Sequence, residues 1–170
     1  APTFGFNWVP DQRLNPYRLE PGSRAPQGTD EVVIDAGSAK DGPFKVGDRV
    51  TILTQGPPKE YQIVGIAKFG DADSAAGSTA ALFDTATAQS ITGAGDQFDS
   101  ISVVADPGVS QETVKQRITE KLDNRTYQVL TGKEITEENQ NDIQDALQLF
   151  NIALIIFALV WLRYSLRVVT

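Results

Sequence analysis

Residues 31–69 read EVVIDAGSAKDGPFKVGDRVTILTQGPPKEYQIVGIAKF, and this stretch decides the fold class. It consists of short β-branched runs separated by glycine and proline, which is the pattern of β-strands joined by turns. The runs predict strands at residues 32–35, 49–53 and 61–69. Turn residues at 55–58 favour a hairpin-like reversal between the last two strands, and residues 44–48 predict another tight turn.

Downstream of this stretch, polar capping residues predict two short helices. Asp84 precedes a segment rich in alanine and threonine that ends near Gly93, and Ser110 precedes apolar residues at helical spacing as far as Leu122. Residues 100–105 and 127–130 predict further strands on either side of the second helix, which gives a β-α-β pattern. The expected fold is therefore α+β, a mixed β-sheet domain with short helices and one βαβ-like unit.

Upstream, residues 1–27 carry five prolines together with several aromatic side chains. Proline disfavours regular structure, whereas aromatic side chains are uncommon in disordered tails. This segment therefore predicts an extended, irregular but ordered arm, pinned by its apolar side chains.

The last third of the chain predicts one long helix. Thr131 and Glu134 have the spacing of a capping box, and nothing breaks a helix from there to at least Leu162. Such a helix is roughly 45 Å long at 1.5 Å per residue. Its apolar residues recur at steps of four and three, which predicts a heptad-like contact seam. The seam consists of Ile143, Leu147, Phe150, Leu154, Phe157 and Trp161.

The second half of that helix is nearly all apolar. From residue 149 to residue 162 only Asn151 is polar, a run of about fourteen residues where a membrane span needs roughly twenty. Arg163 and Arg167 then interrupt the run. Three interpretations stay open on the residues alone: the beginning of a membrane helix, an interfacial helix or a buried core helix.

Composition excludes several function classes. The 170 residues contain no cysteine and no histidine, which removes thiol nucleophiles, disulfides, histidine-dependent triads and the ordinary zinc ligand sets. The net charge of -7 is repelled by the phosphate backbone, so nucleic-acid binding is disfavoured. We expect no catalytic residues, no cofactor and no metal site.

The remaining candidate sites favour structural roles. The loop containing Asp71 and Asp73 begins like a calcium loop, but its sixth and twelfth positions are Ala76 and Leu82, where an EF-hand has glycine and glutamate. A hydrolase that uses the two aspartates would need carboxyl groups with well-separated pKa values, which one short loop seldom provides. We interpret the loop as a solvated acidic connection between two strands, and no P-loop is present.

Several stretches together carry a resemblance to a known family. In chain order they are APTFGFNW (1–8), GSRAP (22–26), DEVVID (30–35), VGDRV (46–50), VGI (64–66), FGDADS (69–74), FDTATAQ (83–89), FDSI (98–101) and LTG (130–132). Their order and spacing resemble the FtsX-like permease family of ABC transporters, in particular actinobacterial-type members with a MacB-type extracytoplasmic core domain.

The resemblance implies a non-enzymatic protein of the cell membrane with this domain on the extracytoplasmic side. It implies a separate ATP-binding subunit, a second permease protomer and an external partner, with further sequence upstream and a long helix that continues into a membrane helix. The seam from Ile143 to Phe157 would then contact the first membrane helix or the other protomer. The tail after residue 162 departs from the apolar span expected of the family.

The expected domain organisation follows from these segments. An N-terminal arm spans residues 1–30, an extracytoplasmic core 31–132, the long helix 133–162 and an atypical tail 163–170. A different class of function stays open, namely a binding or adaptor domain that is tethered to a membrane and has no transport role.

Overall fold

The computed structural model describes residues 3–54, 56–122 and 126–168, so the predicted turn residue Gln55 lies outside it. For residues 139, 142, 143, 145, 146, 149, 153 and 158–168 only the backbone is described. The strands are β1 (Thr3–Asn7), β2 (Tyr17–Leu19), β3 (Glu31–Asp35), β4 (Arg49–Ile52), β5 (Lys59–Phe69) and β6 (Thr79–Phe83). The helices are α1 (Ala36–Asp41), α2 (Thr85–Thr92), α3 (Gln111–Thr119) and α4 (Gly132–Val168).

These strands form one mixed sheet in the order β1-β6-β3-β5-β2, and β4 also pairs with β5. The eleven-residue β5 organises the sheet, because it lies parallel to β3 and antiparallel to both β4 and β2. β1 is parallel to β6, and β6 is antiparallel to β3. The predicted α+β class with a mixed sheet and short helices is confirmed.

The two faces of the sheet bury alternate residues of the same strands, as the two-residue repeat of a strand requires. One face is covered by α1 and α2, with Ala39 and Ile91 packed over its strands. On the opposite face, Trp8, which follows β1, and Tyr17 of β2 belong to a second buried cluster. The strand residues of the helix-covered face are Val32, Ile34, Tyr61, Ile63, Ala81 and Phe83, and those of the opposite face are Val33, Val64, Ala67, Ala80 and Leu82.

The N-terminal segment is ordered, but it is more regular than the sequence indicated. It supplies β1 and β2, and its residues between 20 and 24 lie along β5, where the amides of Glu20 and Arg24 donate to the carbonyls of Ile66 and Val64 at 2.9 and 3.0 Å. The predictions missed β1 and β2 because prolines flank both, and they missed β6 because alanine has low β propensity.

Two predicted strands are wrong. Neither residues 100–105 nor residues 127–130 form a strand. Ile101 and Val103 are 78% and 55% exposed, and in the described part of the chain no backbone group of residues 98–105 bonds to a neighbouring strand. β-branched composition does not make a strand without a partner, so the predicted βαβ-like unit is absent from the described residues.

The predicted helix caps and the predicted tight turn are confirmed. Asp84, Ser110 and Thr131 each accept a hydrogen bond from the backbone amide three residues later, at 3.1 to 3.2 Å. Gly93 ends α2 in the left-handed conformation, with φ at 68°. The predicted turn at 44–48 is present, because the amide of Lys45 donates to the carboxylate of Asp48 at 2.8 Å. Such caps and turns depend on neighbouring residues only.

The chain divides into two compact units, one ending at Val104 and the other beginning at Ala105. The first contains the sheet with α1 and α2. The second contains α3 and α4.

An ion pair fastens the N-terminal segment to β3 and gives the first unit an acid-sensitive contact. The guanidinium of Arg24 donates to both carboxylate oxygens of Glu31 at 2.5 and 2.7 Å, and the amide of Gln27 adds a third bond at 2.9 Å. The Arg24 guanidinium, with that amide, lowers the pKa of Glu31 from 4.5 to about 2. The contact therefore contributes stability above pH 4.5 and loses it as the pH falls towards 2.

We expect the stability difference between the wild type and Glu31→Gln to shrink as the pH is lowered from 5 to 2. Urea unfolding at several pH values, monitored by Trp8 fluorescence in a Trp161→Phe background, measures that difference. Glu60→Gln is the control, because the ion pair of Glu60 with Arg49 is 3.7 Å long and both side chains are about two-thirds exposed. A difference that does not change with pH for Glu31→Gln would contradict the assignment.

Candidate functional site

From Leu147 onward, α4 exposes large apolar side chains. Leu147, Phe150 and Phe157 are 56%, 61% and 70% exposed. Full burial of one such side chain stabilises a protein or a complex by roughly 1.5–3 kcal/mol relative to leaving it in water. An apolar surface of this size is typical of a contact with a membrane or another protein.

The predicted seam residues share one stripe of this helix. At 100° per residue, the positions of Ile143, Leu147, Phe150, Leu154 and Phe157 fall within about 80° of one another. Leu154 is half-exposed, and the other seam side chains that the structure describes are more exposed than that. The side chains of Ile143 and Trp161 lie outside the described part of the structure.

Apolar side chains are not confined to the seam. Ile152, Ile155 and Ile156 project from the other sides of α4 and are 50%, 60% and 57% exposed. A helix that is apolar all round belongs in apolar surroundings, whether a membrane or the core of an assembly. Among the described residues, no helix reaches the length and apolarity of a membrane span.

The beginning of α4 is a polar cluster that holds α3. Glu134 accepts hydrogen bonds from the backbone amide and the hydroxyl of Thr131 through Oε2, at 2.7 and 3.1 Å. Its other oxygen, Oε1, lies 2.5 Å from Nζ of Lys115 on α3. Lys115, with the Thr131 amide, lowers the pKa of Glu134 to about 2. The sequence predicted the cap but carried no signal for the partner on α3.

The acidic loop lies between two strands, β5 and β6, although the sequence predicted only the first of these strands. Asp73 is paired with Lys40 of α1 at 2.5 Å, and Lys40 lowers the pKa of Asp73. The amide of Gly37 also donates to the carbonyl of Asp73 at 3.0 Å, so the loop fastens α1. Within the described ranges, no group of three acidic side chains is arranged to hold a metal ion.

A row of aromatic side chains on the sheet was not predicted as a feature. The ring centroids of Phe4 and Phe6 are 5.8 Å apart in a stacked arrangement, and those of Phe6 and Tyr17 are 6.5 Å apart. Tyr17 in turn contacts Phe69 edge-on, with 5.4 Å between the ring centroids. β1 and β2 stand at opposite ends of the sheet order, so the sheet curves around this face. The two-residue spacing of Phe4 and Phe6 is the sequence pattern that could have predicted two aromatic side chains on one face of a strand.

Comparison with known proteins gives the class of the molecule. The chain matches the model of the MacB-like periplasmic core domain over residues 2–121. That range is more than half of the 170 residues, so the chain belongs to the MacB-like periplasmic core domain family. No curated protein and no solved structure was found to match it.

Membership in this family confirms the resemblance seen in the sequence. Domains of this family are the extracytoplasmic parts of ABC-type permeases, which are transporter components and not enzymes. The family places such a domain outside the cytoplasm in a membrane protein. The matched range contains the sheet, α1, α2 and α3, and it ends before α4.

Proposed function

We propose that this chain is the extracytoplasmic domain of a permease subunit that couples the ATP-driven motion of a separate ATP-binding subunit to work outside the membrane. That work is export, or action on an external lipid, lipoprotein, peptide or cell-wall partner. The observation that carries the proposal is α4, whose polar first half continues without a break into an exposed apolar half.

The proposal assigns α4 the role of a lever. A 37-residue helix is about 55 Å long at 1.5 Å per residue. A continuous helix transmits a displacement as a rigid body, whereas a loop would absorb it. The apolar half leads into the membrane in this account, and the first half joins it to α3.

The seam then has a specific task. Leu147, Phe150, Leu154 and Phe157, together with the position of Ile143, pack against the first membrane helix or against the second permease protomer. The 3-4 spacing of these positions supports packing against another helix, because it keeps one stripe in contact over several turns.

The lever can be tested by breaking it. In the assembled transporter, a spin label at Arg117→Cys in each protomer is expected to report a distance that changes when ATP is added. The 170 residues contain no cysteine, so the label is specific within this part of the protein. Replacing both Gln140 and Asn141 with glycine is expected to reduce the ATP-dependent change, because each glycine costs about 1 kcal/mol of helix stability relative to alanine.

The matched control replaces Gln140 and Asn141 with alanine, which keeps the helix and is expected to keep the distance change. ATP hydrolysis should persist in both variants, since neither position touches the ATP-binding subunit in this account. A wild-type distance that does not respond to ATP would contradict the coupling, as would a full response in the glycine variant.

A further inference from the structure

Two contacts join one face of α3 to the first turn of α4. Gln111 and Lys115 are four residues apart on α3 and therefore lie on one face, one turn from each other. Gln111 Oε1 accepts a hydrogen bond from the amide of Gly132 at 3.2 Å, and Lys115 pairs with Glu134 at 2.5 Å. One face of α3 thus holds the first turn of α4 at two points.

Glu134 is shared between the two helices. Its Oε2 accepts from Thr131, which is 5% exposed, while its Oε1 accepts from Lys115. The amide of Glu134 in turn donates to the Thr131 hydroxyl at 3.2 Å. Glu134 therefore completes the capping box of α4 with one carboxylate oxygen and binds α3 with the other.

We infer that Gln111, Lys115, Thr131 and Glu134 form a rigid joint, so that a displacement of α4 carries α3 with it. A single contact would let α4 pivot on α3, whereas two contacts that are one turn apart on α3 restrict that pivoting. The capping box fixes the Glu134 side chain before it meets Lys115, which reduces the side-chain entropy lost in forming the ion pair. The use of this joint in transport rests on the proposed function, but its rigidity does not.

The joint is tested with two spin labels in the full chain in detergent micelles, at Arg117→Cys on α3 and Gln144→Cys on α4. Both positions are exposed, and neither takes part in the joint. We expect one narrow distance population in the otherwise unmodified chain. Lys115→Met removes the ion pair without touching the cap of α4, and it is expected to replace that narrow population with a broad one.

Glu134→Ala is expected to broaden the population further, because it removes both the ion pair and the carboxylate half of the capping box. Glu137→Ala is the matched control, since it removes a carboxylate one turn along α4 whose pair with Lys133 is 3.6 Å long and exposed. That variant should keep the narrow population. Circular dichroism shows whether α4 stays helical in each variant.

A broad population in the unmodified chain would overturn the inference, and so would an unchanged narrow population in Lys115→Met and Glu134→Ala. The measurement needs neither ATP nor the ATP-binding subunit. Its failure is therefore distinguishable from a failure of the proposed function, which the ATP-dependent distance change tests.

Discussion

Replacing Asp35 with alanine is expected to lower the free energy of unfolding of the first unit by about 3 kcal/mol. Asp35 is fully buried at the end of β3. Its Oδ1 accepts from the amide of Ser38 at 2.9 Å and so caps α1, while its Oδ2 accepts from the Ser38 hydroxyl at 2.5 Å and from the amide of Ala80 at 2.6 Å. Alanine removes the cap and leaves the buried amide of β6 without its acceptor.

Asp84→Ala provides the matched control for this prediction. Asp84 also caps a helix, through a bond from the Thr87 amide at 3.1 Å, but no bond from it to a neighbouring strand is described. Its replacement is expected to cost about 1 kcal/mol, the ordinary value of a cap. Urea unfolding followed by Trp8 fluorescence in a Trp161→Phe background measures both. Equal losses for the two variants would contradict the role of Asp35 in joining β3, α1 and β6.

Gly65→Ala is expected to destabilise the same unit by about 2–3 kcal/mol through overpacking. A Cβ at this position would lie 2.7 Å from the carbonyl oxygen of Arg24 and 3.1 Å from side-chain carbons of Leu19 and Val33. The contact with Arg24 is to backbone, and that backbone is held in place by the bond from the Arg24 amide to Val64. Moving the N-terminal segment away from the new Cβ would therefore strain or break this hydrogen bond.

Gly5→Ala is the control for Gly65→Ala, since a Cβ on this residue of β1 would meet nothing within 4 Å. We expect its free energy of unfolding to stay within about 0.5 kcal/mol of the wild-type value. The same fluorescence-monitored urea titration applies. A loss as small for Gly65→Ala as for Gly5→Ala would show that the N-terminal segment does not press on β5 as described.

How far the sequence predicts this fold depends on the range of the interactions involved. The caps at Asp84, Ser110 and Thr131 were predicted because each bonds to a residue three positions away. The strands around Val32, Ile34 and Ile63 were predicted because their β-branched runs are long enough to be distinctive. The strand expected at residues 100–105 has the same composition, and it is absent because composition carries no information about a pairing partner.

The same limit applies to the candidate sites. The exposed apolar half of α4 was visible in the sequence as a run with Asn151 as its one polar residue. The contact between Lys115 and Glu134 joins residues 19 positions apart in different helices, and no local pattern predicts it. The pair of Lys40 with Asp73 is similar, because it depends on how α1 packs beside the loop after β5.

The central claim is that this domain works as part of a permease with a separate ATP-binding subunit. Purification of the gene product from detergent-solubilised membranes, followed by identification of the chains that accompany it, tests that claim most directly. The account predicts recovery from the membrane fraction with an ATP-binding subunit in stoichiometric amount. Recovery of the protein alone, in the soluble fraction, would contradict it and favour an isolated binding domain.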